Sequence, residues 1–197
     1  RHISRDFLER MKATGKACDH FHLSLQSGSD HVLKLMNRKY DKKLYRQKVD
    51  LIREVFPNAG ITTDIIVGFP QESEEDHEET KEFLEDIAFS KIHVFKYSKR
   101  SGTKAAQMTG QVDGNVKKIR SKEIQYLEEK TRLDFMKKQI GKKLDVLFEA
   151  KSDMEGYMSG YSKNYLRVNV KGKVLENQIK KVLISDIFED ELLGVLA

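Results

Sequence analysis

Short apolar strands and amphipathic helices alternate through the first half of the chain. Residues 19–26 alternate strictly between polar and apolar side chains, with Phe21, Leu23 and Leu25 on one face, which predicts a strand with one polar side. Runs rich in β-branched residues predict two further strands at 61–67 and 91–97. Apolar residues at helical spacing predict helices over 3–13, 29–36, 41–56 and 73–88. This order predicts right-handed β-α-β units with parallel strands, and therefore an α/β fold.

The period of the pattern changes in the second half of the chain. A long, strongly charged helix is predicted over 115–139, and Gly141 ends it. Short strand patterns separated by turn residues then follow at 143–151, 154–161, 164–171 and 179–188. This spacing predicts a small all-β module of the size of a compact OB-like barrel.

The net charge is +5, and its distribution changes the picture more than its total. Residues 91–140 carry thirteen Lys and Arg against five Asp and Glu, whereas residues 141–197 carry nine of each. A basic stretch of this size suits a polyanion such as RNA, because phosphate neutralisation is a large share of nucleic-acid affinity. A solvated helix surface explains the same charges.

The sequence argues against a membrane-spanning protein and against a secreted, disulfide-bonded protein. No segment has the length needed to span a bilayer, and residues 1–20 lack a signal-peptide pattern, so we expect no membrane partner. The single cysteine, Cys18, cannot form an internal disulfide, which indicates a reducing, cytoplasmic setting. The sequence does not indicate an oligomeric state.

Three segments with the composition of ligand-binding loops follow the three strands. The first is Gln26-Ser27-Gly28-Ser29. The second is Gly68-Phe69-Pro70, with Asp64 before it and Glu72 after it, and the third is 97–103. Small residues let the backbone approach a ligand, and the polar groups beside them can orient it. The alternative is that these glycines and serines only make tight turns.

These segments closely resemble the radical S-adenosylmethionine methylthiotransferase family in order and spacing. The motifs are Leu-Ser-Leu-Gln-Ser-Gly-Ser-Asp at 23–30, Met-Asn-Arg at 36–38, Thr-Asp-Ile-Ile-Val-Gly-Phe-Pro at 63–70 and Tyr-Ser-Lys-Arg-Ser-Gly-Thr at 97–103. The resemblance implies a partial radical-SAM (β/α) barrel in residues 1–112, a connecting helix in 113–140, and an OB-like, RNA-binding TRAM domain in 141–197.

The resemblance also implies an activity. The family transfers a methylthio group to an unactivated adenine carbon beside the anticodon, so the expected partner is a tRNA anticodon stem-loop. The expected cofactors are S-adenosylmethionine and, in the full-length enzyme, two four-iron–four-sulfur clusters. Tyr-Ser-Lys-Arg at 97–100 is most similar to the branch that acts on N6-threonylcarbamoyladenosine.

The cluster ligands lie outside this sequence if the resemblance holds. The family's Cys-x3-Cys-x2-Cys motif lies upstream of every motif present here, and thiolates are the ligands that iron–sulfur clusters need. The chain begins without Met and has only Cys18. We therefore expect the C-terminal two-thirds of such an enzyme, holding neither cluster and inactive alone, with Cys18 as a small buried apolar residue and no metal site.

Cofactor roles follow from the resemblance, residue by residue. Gln26 and Ser27 would meet the ribose or methionine part of the cofactor, and Arg38 would pair with its carboxylate. Asp64 would point into the cavity. The loop formed by Gly68, Phe69 and Pro70 would lie against the adenine. Position 71 is Gln where the family loop usually has Gly, which puts the shape of this loop in question.

The β-module would grip the tRNA through interleaved aromatic and basic residues, the composition that single-stranded RNA recognition uses. The candidate contacts are Lys151, Tyr157, Tyr161, Lys163, Asn164, Tyr165 and Arg167. Tyr is also a good strand former, so each of them taken alone is better explained as an ordinary strand residue.

Two other functions remain as alternatives. His20 and His22, with Asp64 and His93, resemble the ligand set of a metal-dependent barrel hydrolase, although ligands in barrels cluster at the carboxyl ends of strands. The second alternative is a non-catalytic RNA-binding module.

Overall fold

The computed structural model describes residues 3–151, 154–172 and 176–197, without the side chains of 150 and 151. A three-stranded parallel sheet has the order β1-β2-β3, where β1 is His20–His22, β2 is Gly60–Val67 and β3 is Lys91–Lys96. Helices α1 (Arg5–Ala13), α2 (Asp30–Leu35), α3 (Lys42–Val55) and α4 (Glu74–Ile87) precede or connect these strands. The parallel strands and the alternating helices confirm the α/β prediction.

Strand β1 is shorter than the alternation from 19 to 26 predicts. The Leu23 amide still donates to the Thr62 carbonyl at 2.9 Å. After it, side chains replace the ladder: the Thr63 hydroxyl donates to the Leu23 carbonyl at 2.7 Å and accepts from the Leu25 amide at 2.9 Å. The chain rejoins the sheet at Gln26, whose amide donates to the Asp64 carbonyl at 2.8 Å. Gln26 has a left-handed backbone, with φ 73°. The irregular segment therefore ends with a sharp turn at the carboxyl end of the sheet.

The helices cover only one face of the sheet. The apolar face of β2 contributes Ile61, Ile65 and Val67 to a core that α3 and α4 complete, with Ile52 and Leu84 fully buried. The opposite face carries the polar side chains that the alternation predicted. Burial of one face against helices thus leaves the other face free to line a site.

Helix α6 (Gly114–Lys137) connects the sheet to the rest of the molecule, after the short helix α5 (Lys104–Gln107). It packs against β3 and α4. Its middle buries Ile124 in the core of the sheet, and its end buries Met136 in a second core. None of the helices in the described ranges is long and apolar enough to cross a bilayer.

The second core belongs to a closed five-stranded barrel with the order β4-β5-β6-β8-β7. Its strands are β4 (Lys143–Lys151), β5 (Tyr157–Ser162), β6 (Arg167–Lys171), β7 (Gln178–Phe188) and β8 (Glu191–Leu196). The sequence pattern missed β8, which follows β7 after a two-residue turn and closes the barrel by parallel pairing with β6. This strand is short and contains Gly194, and both features weaken a strand signal.

The barrel docks against the amino ends of the parallel strands through the loop between β5 and β6. The buried Asn164 amide donates to the Asn58 carbonyl and to the Gln139 side chain, each at 3.3 Å, and its oxygen accepts from Ser162 Oγ at 2.6 Å. A Cβ atom at Gly60 would collide with the Asn164 carbonyl, so glycine permits this close approach.

We predict that Asn164→Ala lowers the free energy of unfolding by about 1–3 kcal/mol, because Gln139 and Ser162 lose a buried hydrogen-bond partner. Urea unfolding followed by circular dichroism would measure the change. The matched control is Lys163→Ala, which removes only a surface ion pair with Asp145 worth about 0–1 kcal/mol. Equal stability of the Asn164 variant and the wild type would contradict a pinning role.

Candidate functional site

The loops that follow the three parallel strands meet at one edge of the sheet. Gln26, after β1, bridges to Ile65 of β2. The Tyr97 amide, after β3, donates to the Val67 carbonyl at 2.9 Å. The Phe69 ring packs edge-on against the Tyr97 ring, with their centroids 5.2 Å apart. The sequence motifs that lie 71 positions apart along the chain therefore form one rim.

The loop after β2 is held by buried charges. The Gly68 amide donates to Glu72 Oε1 at 2.9 Å, and the Arg120 guanidinium of α6 bonds the same carboxylate at 2.7 Å. The second guanidinium nitrogen reaches Glu74 at 2.9 Å. Gly68 has φ +72°, and a Cβ atom there would collide with the Lys117 side chain. The loop thus takes its shape from α6 as well as from its own sequence.

Gln71 has a backbone conformation that favours glycine, the residue that the resembling family usually has at this position. Its φ is 69°, in the left-handed region that favours glycine. Its amide donates to the Gly110 carbonyl at 2.7 Å, which holds the turn in place. Glutamine at this position therefore holds a strained backbone conformation.

Part of the loop after β1 packs against α4. The Ser27 hydroxyl faces α4, 3.4 Å from Thr80 Oγ1, and accepts from the Ser29 amide at 3.2 Å. A Cβ atom at Gly28 would come within 2.7 Å of Thr80 Cα. This part of the motif thus packs the loop onto α4, and contact of Ser27 with a cofactor stays a prediction.

Arg38 lies exposed just beyond α2 and has no ion pair with any residue in the described ranges. Its charge lies near the Tyr40 hydroxyl, which donates to the carbonyls of Ser24 and Leu25 at 3.0 Å each. Burial raises the pKa of Tyr40, and the positive charge of Arg38 offsets part of that rise. Arg38 is therefore an available cation beside the loop after β1.

The polar face of the sheet carries a connected network. Ser24 Oγ donates to Asp64 Oδ2 at 2.8 Å, and His22 Nε2 lies 3.1 Å from the same oxygen. Thr62 Oγ1 lies 2.9 Å from His22 Nδ1 and 3.2 Å from His20 Nε2. Burial alone would raise the pKa of Asp64, but the hydrogen bonds from Ser24 and His22 outweigh it and lower the pKa below its ordinary value. Asp64 is thus an ionised hydrogen-bond acceptor at neutral pH.

The network ends in a cavity of about 520 Å³ at the junction between the sheet and the barrel. His20 stacks on Tyr165, with centroids 4.6 Å apart, and Tyr165 stacks on Tyr161 at 5.1 Å. The sequence pattern predicts both tyrosines on the barrel, but it gives no sign that either of them contacts His20. Only the alternation of 19–26, which puts His20 on the polar face, hinted at this contact.

The other residues predicted to contact RNA differ in their burial and in whether they already form ion pairs. Lys163 pairs with Asp145 at 3.3 Å, and Arg167 pairs with Glu191 at 3.0 Å. Asn164 is buried in the docking contact described above. Tyr157 is half-buried at the start of β5. The side chain of Lys151 lies outside the described residues.

The structure offers the hydrolase alternative little support. In the described part of the chain, no three His, Cys, Asp or Glu side chains are arranged to hold a metal ion. The ring centroids of His22 and His93 are 6.1 Å apart, and His22 is within hydrogen-bond distance of Asp64 and Thr62.

Cys18 is exposed, which corrects the expectation that it is buried.

Comparisons with known proteins agree with the geometry. The family model of the radical SAM superfamily matches residues 1–84. The chain is 39% identical over 98% of its length to a tRNA-2-methylthio-N(6)-dimethylallyladenosine synthase of Thermodesulfovibrio yellowstonii, of which it covers 44%. It is 35% identical over 92% of its length to a threonylcarbamoyladenosine tRNA methylthiotransferase of Bacillus subtilis, of which it covers 40%.

A solved structure shows the same fold at low identity. Coproporphyrinogen III oxidase of Escherichia coli, a radical SAM enzyme, superposes with a TM-score of 0.55 over 66% of this chain and 30% of that one, at 21% identity. The chain spans less than half the length of the curated relatives it matches, rather than the two-thirds expected. These sequence matches place the chain in the radical S-adenosylmethionine tRNA methylthiotransferase family.

Proposed function

We propose that the protein to which this chain belongs methylthiolates an adenosine beside the anticodon of tRNA. The observation that carries the proposal is the single rim formed by Gln26, Asp64, the 68–70 loop and Tyr97, on a chain whose relatives are tRNA methylthiotransferases. S-adenosylmethionine, together with an iron–sulfur cluster, supplies the radical chemistry when bound. The residues of this chain bind and orient the cofactor and the RNA.

The rim fits S-adenosylmethionine in its chemistry. Asp64, kept ionised by Ser24 and His22, can accept hydrogen bonds from ribose hydroxyl or ammonium groups. The backbone at Gly68 can lie against an adenine ring, because this loop position carries no side chain, while the buried Phe69 and Pro70 support the loop from beneath. Arg38 supplies the cation for the carboxylate.

The clusters require thiolates from outside this chain. A four-iron cluster takes its ligands from several cysteines, and the chain has one, exposed Cys18. We infer that the isolated chain has no methylthiotransferase activity.

The barrel is proposed to be a TRAM-like RNA-binding module. Its support is the exposed Tyr165 with Tyr161 beside it, and its position next to the polar face of the sheet. A purely RNA-binding role for the whole protein explains the barrel, but it does not explain why the three rim loops meet at one edge of the sheet.

The threonylcarbamoyl branch is the proposed substrate class. Relatives of both branches match the chain at similar identity, so the proposal rests on Tyr-Ser-Lys-Arg at 97–100. These residues follow β3 at the rim, and we propose that they contact the substituent on the adenosine.

The activity can be tested with the complete protein in a bacterial host that lacks its own tRNA methylthiotransferases. We expect mass spectrometry of tRNA nucleosides to show 2-methylthio-N6-threonylcarbamoyladenosine. Methylthiolation of dimethylallyladenosine instead would refute the branch and keep the family activity. Absence of both products from an expressed protein with intact clusters would refute the activity.

We predict that Arg38→Ala in the complete protein weakens S-adenosylmethionine binding by about tenfold to hundredfold, because a charge-assisted pair with the carboxylate is worth about 1.5–3 kcal/mol. Its tRNA affinity should change less. Calorimetric titration of the cofactor and a separate tRNA titration measure both. Lys39→Ala is the matched control, since it removes a neighbouring exposed cation that bonds only Asn37 in the described structure. Normal cofactor binding by the Arg38 variant would refute its role.

We predict that phosphate contacts come mainly from the loop after β3. Lys99 and Arg100 are exposed and have no ion pair with a described residue, whereas Lys163 and Arg167 are already paired with carboxylates. Replacing Lys99 and Arg100 by Ala should reduce the slope of log affinity for tRNA against log salt concentration by about 1.5.

The double replacement of Lys163 and Arg167 is the matched comparison for this prediction. The sequence alone predicts that these two residues carry the phosphate contacts, and the ion pairs predict a smaller change of slope than for Lys99 and Arg100. Fluorescence titrations at several salt concentrations decide between them. If replacing Lys163 and Arg167 changed the slope more than replacing Lys99 and Arg100 did, the main phosphate contacts would lie on the barrel.

A further inference from the structure

Three aromatic rings from two separate parts of the fold form one continuous stack. His20 comes from β1, whereas Tyr161 and Tyr165 come from β5 and the loop after it. The interplanar angles are 21° between His20 and Tyr165, and 23° between Tyr165 and Tyr161. We call these three residues the aromatic ladder. It crosses the boundary between the barrel and the polar face of the sheet.

The centre of the ladder is exposed and conformationally strained. Tyr165 has φ 66°, a left-handed conformation that disfavours residues with a bulky side chain. Strain of this kind costs about 1–3 kcal/mol and concentrates at functional sites. The Tyr165 side chain does not offset it by burial, since 61% of the residue remains exposed. The anchored neighbour Asn164 holds the turn and so keeps the ring presented to solvent.

Cavities adjoin the ladder, and two of them share its three rings as lining. The junction cavity of about 520 Å³ adds polar groups of the sheet, among them His22, Thr62 and His93. The second cavity, of about 660 Å³, lies along the outside of the barrel and adds Lys16 and Lys163, the carboxylates of Asp145 and Glu149, and the exposed apolar side chains of Leu147 and Ile179. The ladder therefore lies on a path from the outer surface of the barrel to the polar face that leads to Asp64.

We propose that the aromatic ladder is a stacking platform for unpaired nucleotides of the tRNA anticodon loop, guiding them from the barrel toward the rim. This inference deepens the proposed function and rests on it. Aromatic rings with lysines and apolar side chains beside them are the composition of single-stranded nucleic-acid grooves. Stacking uses the face of any base, whereas a paired stem hides its bases and offers only phosphates and sugars.

The chemistry of His20 fits a stacking role. Burial and the neighbouring His22 lower the pKa of His20, so its ring is neutral at physiological pH. A neutral imidazole can stack between a tyrosine and a base without the free-energy cost of removing water from a charged ring. Thr62 orients the ring by its contact with Nε2.

The test uses the complete protein and a fluorescently labelled anticodon stem-loop, with a blunt RNA duplex of the same stem as reference. Tyr165→Ala should weaken stem-loop binding by about tenfold to hundredfold, or about 1–3 kcal/mol, because removal of the central ring separates His20 from Tyr161, whose outer faces are the ones left for a base to stack on. Duplex affinity and the salt dependence should stay unchanged, because no phosphate contact is lost. Tyr165→Phe should bind like the wild type.

Tyr126→Ala is the matched control, since Tyr126 on α6 is a 75% exposed tyrosine outside the ladder. It should leave both affinities unchanged. A Tyr165→Ala variant that binds the stem-loop like the wild type overturns the platform. A loss of equal size for stem-loop and duplex also overturns it, because the ring then only orients the barrel.

A second variant covers the case in which Tyr165→Ala does not fold. The chain contains no tryptophan, so Tyr165→Trp, compared with the unsubstituted protein, adds one indole at the centre of the ladder. Its added fluorescence should be quenched by the stem-loop and not by the duplex, and lack of quenching at saturating stem-loop overturns the proposal. If the wild-type protein binds no stem-loop at all, the proposed function fails, which is distinct from failure of the ladder.

Discussion

The buried ion pair between Arg120 and Glu72 is the contact on which the candidate site depends. Both side chains are about 95% buried, and Glu72 also accepts the Gly68 amide, so one carboxylate connects α6 to the loop after β2. Removing one partner of such a pair leaves an uncompensated buried charge, at a cost of about 3–5 kcal/mol. One turn away, Lys117 lies over the Tyr97 ring at 5.3 Å, so the same helix also contacts the loop after β3.

Helix α6 thereby joins the two halves of the molecule. Its first turns hold the rim loops, its middle completes the core of the sheet through Ile124, and its last turn enters the barrel core through Met136. The barrel cannot change its position without disturbing a helix that also supports the rim loops. Rigid elements of this kind hold a binding surface in register with a reaction centre.

The polar face of the sheet extends from the barrel at one end of the strands to the rim loops at the other. The candidate cofactor loops lie at the carboxyl ends of the parallel strands, and the barrel covers the amino ends. The two are separated by about 20–25 Å, the length of β2. His20, Thr62, His22 and Asp64 line part of this interval with hydrogen-bonded polar groups.

The sequence by itself determined the parallel strands, the helices between them, the rim motifs and the small β-module, because these follow from local periodicity and from residues close together in the chain. It did not determine the break in β1, where the Thr63 and Tyr45 side chains replace ladder hydrogen bonds, or the strand β8. Only the tertiary structure decided that Asn164 pins the barrel and that His20 stacks on Tyr165, since 145 residues separate those rings. Contacts of that range depend on how two cores dock, and no local pattern of side chains encodes the docking.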